Sequence, residues 1–270
     1  CLNMLERYNL ADRHAPETAH LVAEALRRAF HDRALHLGDS DFVAVPVERL
    51  TSKSYAAQRA ATIQPAAATR SETPAQEPRS GGSTTHISVV DAEGNRVAAT
   101  LTINLLFGSG VVAGGTGVLL NNEMDDFTVL PDVPNTFRLR GGDANAIAPG
   151  KRPLSSMTPT FVEDEKGVLV IGAPGGSRIV SQVLLAVLDY LRAPAVDLAA
   201  IVSAPRYHHQ WWPDRVEIEP GGYGSAWRAE LEARGHRLET ASRQWGNMQA
   251  VFKSRHSGLA VAASDPRGLD

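Results

Sequence analysis

The composition of the chain changes abruptly at one point, and this change constrains the fold more than any other feature of the sequence. Residues 64–83 contain three prolines, several alanines and serines, and the pair Gly81-Gly82. Such a segment buries little apolar surface, so it is predicted to be an exposed, flexible linker. A β-branched strand begins directly afterwards with Thr84. The sequence therefore places a hydroxyl residue where a cleavable segment meets a strand.

A threonine at this junction indicates a nucleophile that is created by cleavage of the chain. Its hydroxyl would attack the carbonyl of Ser83, shift the acyl group from nitrogen to oxygen, and leave Thr84 as a new N-terminus. The freed α-amino group has a reference pKa of about 7.7–8 and can act as the base that activates the hydroxyl. In the plainer interpretation, Thr84 and Thr85 are strand-forming residues without a chemical role.

The periodicity of the chain predicts an α+β fold. Apolar residues at helical spacing follow Pro16, and further helices are expected at residues 52–63, 178–191, 197–203 and 225–234. Strands are expected at residues 84–90, 96–107, 161–163, 168–171, 216–219, 249–253 and 259–263. This order favours antiparallel sheets covered by helices over an alternating βαβ arrangement. Residues 127–159 carry five prolines and are expected to form a long functional loop, such as a lid.

Charge, hydropathy and cysteine content exclude several classes of protein. The net charge of −3 gives no basic stripe, so nucleic acid is not an expected partner. No apolar run reaches the ~18 residues that a membrane span needs. Cys1 is the only cysteine, which excludes an internal disulfide and a Cys-based metal site. Because the chain opens with Cys-Leu-Asn-Met, we expect preceding residues, including any signal peptide, to be missing.

Two glycine-rich segments have different expected roles. The segment Gly172–Arg178 lies between a predicted strand and a predicted helix, where consecutive N–H groups can bind an anion or an oxyanion. A tight turn without a ligand is the alternative. The segment Gly108–Ala113 matches the dinucleotide fingerprint in letters, but Gly114–Gly117 cannot open the helix that this fingerprint needs. No cofactor is therefore expected.

Polar clusters later in the chain suggest binding of charged groups. Glu123, Asp125 and Asp126 could form a glycosidase pair, a hard-metal site, a solvated loop or a site for a cationic substrate group. Ser155 and Ser156 lie between prolines and suit a carboxylate ligand better than nucleophilic catalysis, because the Ser-x-x-Lys order is absent. The adjacent histidines at 208 and 209 are interpreted as packing residues.

Several of these segments recur in the same order in one known family. They are Thr84–Asp91, Thr102–Asn104, Gly117–Phe127, Pro153–Pro159, Pro174–Arg178 and Ala263–Arg267. Together they resemble the γ-glutamyltransferases of the N-terminal nucleophile hydrolase superfamily, and the similarity runs essentially from end to end. The resemblance implies a four-layer αββα sandwich with two antiparallel sheets between helical layers. It also implies a zymogen that cleaves itself between Ser83 and Thr84.

The resemblance further implies how the chain is divided and what it acts on. Residues 1–83 would be the C-terminal part of the large subunit, ending in the linker at about 64–83. Residues 84–270 would be the small catalytic subunit, and both parts would belong to one folded domain. The implied reaction transfers the γ-glutamyl group of glutathione or a related amide to water, an amino acid or a peptide. A periplasmic or secreted location is implied, with no cofactor or metal.

Site roles follow from the resemblance, position by position. Thr84 would be the nucleophile and its amine the base, with Thr102 as the supporting hydroxyl. Asn104, Glu123 and Asp126 would bind the substrate's α-ammonium. Ser155 and Ser156 would bind its α-carboxylate. Gly175 and Gly176 would stabilise the oxyanion.

Two departures from the family and two rival interpretations remain. The family's carboxylate-binding arginine lies in an upstream portion of the large subunit that this chain lacks. Phe137 occupies a loop position where many bacterial members have a tyrosine. A cephalosporin (glutaryl) acylase would share the mechanism, although the polar residues at 123, 126, 155 and 156 favour a glutamyl group. An unprocessed, non-catalytic relative is the second rival.

Overall fold

The computed structural model describes residues 1–10, 12, 14–71, 84–130 and 133–268. Its helices are α1 Leu2–Leu5, α2 Pro16–His36, α3 Val47–Thr51, α4 Lys53–Ala60, α5 Arg178–Arg192, α6 Leu198–Ser203 and α7 Ser225–Ala233. Its strands are β1 Thr84–Val90, β2 Arg96–Thr102, β3 Thr160–Glu163, β4 Gly167–Gly172, β5 Tyr207–His208, β6 Val216–Ile218, β7 Leu238–Thr240, β8 Gln249–Ser254 and β9 Ala260–Ser264. Short 3₁₀ helices lie at Glu123–Asp126, Asp143–Asn145 and Pro266–Gly268.

The chain divides into two compact units, each assembled from segments that are distant in sequence. The first unit contains Cys1–Ser80, Glu123–Ser155 and Tyr207–Ser242. The second contains Gly81–Asn122, Ser156–Arg206 and Arg243–Asp270.

Helix α2 organises the first unit. It begins at Pro16, whose fixed φ suits the first helical position, and most of its length is buried. The buried carboxylate of Glu24 is paired with Arg27 at 3.1 Å and with Arg28 at 2.7 Å. Because a buried charge is tolerated only with such partners, these ion pairs allow a charged helix face inside the unit. Strand β6 pairs antiparallel with β5 and parallel with β7 in the same unit.

The buried charges of the first unit also anchor the start of the predicted linker. The backbone N–H of Thr69 donates to Glu24 at 3.1 Å. The backbone N–H of Ser71 donates to Asp214 at 2.8 Å, and Asp214 is itself paired with Arg27. The chain is thus fastened to the first unit up to Ser71. The rest of the predicted linker, residues 72–83, lies outside the described residues.

The second unit contains two sheets, both antiparallel. Strands β1 and β2 form a hairpin, and the other sheet has the order β3-β4-β8-β9. Helices α5 and α6 cover the four-stranded sheet through a shared apolar core, which includes Leu169, Ile171, Ile179, Val183, Tyr190 and Phe252. Strand β1 packs against β4 and β8.

The predicted α+β class is confirmed, and both sheets of the second unit are antiparallel as predicted, whereas the three-stranded sheet of the first unit is mixed. The strand predicted over residues 96–107 is too long, because β2 ends at Thr102 and Asn104 has a φ of 72°. Helix α4 begins one residue later than expected, since Ser52 accepts the N–H of Tyr55 at 3.1 Å and caps the helix. Within the described ranges, no helix is long and apolar enough to cross a membrane.

Candidate active site

Thr84 is the first residue of β1 and faces Thr102, the last residue of β2, across the hairpin. The hydroxyl of Thr84 donates to the hydroxyl of Thr102 at 3.1 Å. Both side chains are half-buried. Hydrogen bonding to a fixed neighbour restricts the rotamer of a threonine, so the hairpin register determines where the Thr84 oxygen lies.

The hydroxyl of Thr102 is held from a second side by Asn104. The backbone N–H of Asn104 donates to it at 2.8 Å, and Asn104 itself is 1% exposed. The side-chain amide of Asn104 donates to the carbonyl of Asn122 at 3.1 Å, while the amide oxygen of Asn122 accepts the N–H of Leu105 at 3.0 Å. Three residues predicted from the sequence, Thr84, Thr102 and Asn104, therefore form one connected group.

His86 is a buried residue of β1 that the sequence did not single out. It points to the same side of β1 as Thr84, is 3% exposed, and bonds to the Thr100 hydroxyl through Nδ1 at 2.7 Å. Its ring packs on the backbone of Gly172, where an added Cβ would lie 2.2–2.6 Å from the ring atoms. Burial lowers the pKa of His86. The alternation of residues 84, 86 and 88 was the available signal, since it places His86 on the inner face.

The predicted glycine-rich turn joins β4 to α5 in the same unit. Gly175 has a φ of 137° and Gly176 a φ of 59°, conformations that favour glycine at both positions. Within the described part of the chain, the N–H groups of Gly175 and Gly176 donate to no backbone or side-chain acceptor. They precede the positive end of a 15-residue helix. Such a turn can bind an anionic oxygen.

The acidic cluster lies in the first unit, on the 3₁₀ helix Glu123–Asp126. Burial and the neighbouring charge of Glu123 raise the pKa of Asp126 to about 7, although the guanidinium of Arg33 opposes this shift. The two carboxyls share a hydrogen bond, and burial also raises the pKa of Glu123. Asn135 donates to an Asp126 oxygen at 3.2 Å. This pair is therefore poised to gain or lose a proton near neutral pH and to accept a cationic group.

The predicted residues Ser155 and Ser156 lie where the chain passes from a segment of the first unit to a segment of the second. Ser155 is the last residue of one segment of the first unit, and Ser156 begins a segment of the second. The structure brings Thr84, Thr102, Asn104, Gly175 and Gly176 into one unit, whereas Glu123, Asp126 and Ser155 belong to the other. Ser83, the other side of the predicted cleavage point, lies outside the described residues.

The predicted lid segment is organised by two asparagines that the sequence reasoning missed. The amide of Asn145 donates to the Asp126 carbonyl at 2.7 Å and accepts the N–H of Leu154 at 3.0 Å. The amide oxygen of Asn135 accepts the N–H of Phe137 at 3.0 Å. In this segment, hydrogen bonds from asparagine side chains to backbone groups take the place of those of a helix or strand.

A metal site was among the alternatives for the acidic cluster. In the described ranges, no group of three or more His, Cys, Asp or Glu side chains is arranged to hold a metal ion.

Known proteins match the chain throughout its length. The sequence profile described as gamma-glutamyltranspeptidase matches residues 1–270. The glutathione hydrolase proenzyme of Escherichia coli (strain K12) is 43% identical over 279 residues, which cover 100% of this chain and 47% of the relative. A crystal structure of an acivicin-inhibited gamma-glutamyltranspeptidase is 43% identical with a TM-score of 0.64, covering 68% of this chain and 98% of that one.

An acylase also matches, at lower identity. The acylase ACY 1 proenzyme of Pseudomonas sp. (strain SE83) is 38% identical over 265 residues, which cover 97% of this chain and 45% of the relative. The chain thus spans less than half the length of the curated relatives that it matches.

Proposed function

Because the chain belongs to the gamma-glutamyltranspeptidase family, we propose that it works as a γ-glutamyltransferase and glutathione hydrolase that cleaves itself before Thr84. The observation that supports this most directly is the Thr84–Thr102 hydroxyl pair at the start of β1. The pair holds the attacking oxygen at the first position of a strand. Cleavage directly before that strand gives the same residue a free amine.

The proposed reaction begins with self-cleavage. The Thr84 oxygen attacks the Ser83 carbonyl, the C–N bond breaks, and water hydrolyses the resulting ester. In catalysis, the freed amine takes the proton of the hydroxyl, and the oxygen attacks the γ-carbonyl of the substrate. The N–H groups of Gly175 and Gly176 stabilise the oxyanion. The proton passes to the departing amine, which leaves a γ-glutamyl ester on Thr84 for attack by water or an amino acid.

The proposed substrate carries a zwitterionic glutamyl head. Asn104, Glu123 and Asp126 bind its α-ammonium, and Ser155 with Ser156 binds its α-carboxylate. The raised pKa of Asp126 supports this assignment, because a partly desolvated carboxylate gains free energy from pairing with a cationic ligand. Glutathione or a related γ-glutamyl amide fits, and amino acids or peptides serve as acceptors.

The wider family features are part of the same proposal. Residues 1–83 form the end of a large subunit and residues 84–270 the small one, within one folded domain of the four-layer αββα type. An upstream portion supplies the carboxylate-binding arginine, and the protein is periplasmic or secreted. The 43% identity to a glutathione hydrolase proenzyme over the whole chain supports this proposal.

Intact mass before and after incubation at neutral pH tests self-cleavage. Because the chain spans less than half of its relatives, the assays use the complete gene product that contains it. We expect two fragments that separate at Thr84, and one unbroken chain in Thr84→Ala. An unbroken and active parent protein would refute the proposal, and an unbroken inactive one would favour the non-catalytic relative.

A pair of substrates separates the glutamyl reaction from its acylase rival. A γ-glutamyl anilide and a glutaryl anilide differ only in the α-amino group that Asn104, Glu123 and Asp126 are proposed to bind. We expect the glutamyl compound to be hydrolysed at least about tenfold more efficiently, the effect of one charge-assisted contact. Faster turnover of the glutaryl compound would favour the acylase.

A further inference from the structure

Gln182 is a polar residue in the apolar interior of the second unit. It lies in the first half of α5 and is 1% exposed. Its neighbours Ile179, Val183 and Ala186 belong to the core beneath the four-stranded sheet. No step of the proposed reaction uses its side chain directly.

The amide nitrogen of Gln182 holds the turn that precedes α5. It donates to the carbonyl of Pro174 at 2.9 Å. The Pro174–Gly175 peptide is trans and planar, so its C=O and N–H point in opposite directions. Fixing the carbonyl toward Gln182 therefore fixes the N–H of Gly175 away from it. That N–H is one of the two proposed oxyanion donors.

The same side chain is held from its other end. A Cβ added to Gly246 would lie 2.0 Å from Oε1 of Gln182, so the backbone of Gly246 lies directly against the amide. Arg206 anchors this segment by donating to the Trp245 carbonyl at 2.7 Å, and Arg206 is paired with Asp265 at 2.5 Å. The Gln182 amide thus lies between two backbone segments, with its nitrogen on the Pro174 carbonyl and its oxygen against Gly246.

The side chain of Gln182 makes its hydrogen bond to Pro174 while its oxygen is left unpaired. Its Oε1 is buried and accepts no hydrogen bond from any described residue. A buried acceptor without a partner is unfavourable, and leucine or methionine would avoid this cost but would remove the donor to the Pro174 carbonyl. Polar residues that break the packing pattern in this way are expected at functional positions.

We propose that Gln182 is a positioning residue that orients the Gly175 N–H toward the oxyanion by holding the Pro174 carbonyl. The inference rests on the proposed function, since it requires Gly175 to act as an oxyanion donor. Gln182 lies on α5 and acts through the Pro174 carbonyl, without contact to the substrate.

Gln182→Met tests this role, because methionine keeps the length of the side chain and removes the donor. Loss of a whole oxyanion donor lowers kcat by about 10²–10³-fold, so a misaligned donor is expected to lower kcat by about tenfold to a hundredfold. KM for the γ-glutamyl anilide should change less than about twofold, because the donor acts mainly in the transition state. An unchanged kcat overturns the inference.

Two further measurements separate positioning from loss of structure. Val183→Ala removes two methyl groups from the adjacent buried position of α5, and we expect it to lower thermal stability without the loss in kcat. A boronate analogue of the γ-glutamyl group forms a tetrahedral adduct on the threonine oxygen. Its affinity should fall about as much as kcat in Gln182→Met, while the affinity for glutamate should not. Equal losses for both ligands, or for both variants, contradict positioning.

Failure of this inference can be distinguished from failure of the proposed function. If Thr84→Ala abolishes cleavage and turnover while Gln182→Met retains the kcat of the parent, only the role of Gln182 is rejected. If Thr84→Ala remains active, the proposed function fails. Gln182→Leu serves as the second variant where the methionine protein does not fold, with the same expected loss in kcat.

Discussion

The hydroxyl of Thr84 donates a 3.1 Å hydrogen bond to the hydroxyl of Thr102, which faces it across the β1–β2 hairpin. Thr102 in turn accepts the backbone N–H of Asn104 at 2.8 Å. The proposed nucleophile is therefore oriented by a residue whose own position is fixed by the end of β2. Because β2 ends at Thr102, the end of this strand determines where the Thr84 hydroxyl oxygen lies.

Removing the Thr102 hydroxyl should slow both self-cleavage and turnover. Thr102→Val keeps the shape of the side chain but leaves the Thr84 hydroxyl without this partner. We expect a loss of about tenfold to a hundredfold in kcat, the usual effect of a displaced catalytic group. Thr102→Ser should keep most of the parent rate. A mass time course and steady-state kinetics measure both, and a valine variant as fast as the serine variant would contradict the role.

The acidic pair predicts a pH dependence that depends on the substrate. Burial and Glu123 raise the pKa of Asp126 to about 7, so Asp126 is largely protonated at pH 6 and ionised at pH 8. Only the ionised form can pair with an α-ammonium. The ratio of kcat/KM for the γ-glutamyl and glutaryl anilides should therefore fall as the pH drops below about 7. The Thr84 amine affects both substrates equally and cancels in this ratio.

Asp126→Asn provides the control for this pH profile. The variant should have a lower ratio than the parent at pH 8 and should lack the change near pH 7, because an amide at position 126 carries no charge to titrate. A parent ratio that stays constant between pH 5.5 and pH 8 would show that Asp126 does not bind the α-ammonium in its ionised form.

Local periodicity was sufficient to predict much of the second unit. The alternation of residues 84–90 and the apolar spacing of α5 predicted elements that the structure contains. The strand predicted to residue 107 ends at Thr102, because the amide of Asn104 is tied to the Asn122 carbonyl and its backbone turns to a φ of 72°. The hydrogen bond from Asn104 to Asn122 joins residues 18 positions apart, so local periodicity could not predict it.

The supporting residues of the site were missed for the same reason. The alternation in β1 places His86 on the inner face, but its contact with Gly172 is visible only in the structure, as is the bond of Gln182 to Pro174. Sequence alone shows a histidine in a strand and a glutamine in a helix. The roles of Glu123, Asp126, Ser155 and Ser156 came from the family resemblance and stay predictions.

The contact between His86 and Gly172 predicts a site where the smallest substitution is harmful. The backbone of Gly172 is extended, so alanine is excluded there by space alone: its Cβ would lie 2.2–2.6 Å from the His86 ring. We expect Gly172→Ala to destabilise the protein by about 1–3 kcal/mol through overpacking. Gly114→Ala is the matched control, because nothing lies within 4 Å of its Cβ. Denaturant unfolding of both variants measures the difference, and similar midpoints would contradict the contact.

Three buried histidines predict that the first unit is sensitive to acid. His20 Nε2 lies 2.8 Å from the Gln64 carbonyl and must donate to it, so its Nδ1 accepts from Nε2 of His236, also at 2.8 Å. Burial lowers the pKa of His20, lowers that of His236 to about 3, and lowers that of His209 to about 4. All three are therefore neutral in the folded protein near pH 7.

The lowered pKa values of these histidines determine how stability changes with pH. Between about pH 4 and pH 6.5 the unfolded chain binds protons that the folded unit excludes, so stability is lost as the pH falls through this range. Each histidine adds up to about 1.4 kcal/mol per pH unit to the slope. Hydrogen exchange in α2 should therefore accelerate steeply from pH 6.5 to pH 5, after correction for intrinsic rates. His236→Gln should flatten the slope, whereas His256→Gln, at an exposed position, should not. An identical slope in both variants would show that the buried histidines do not control the acid sensitivity of this unit.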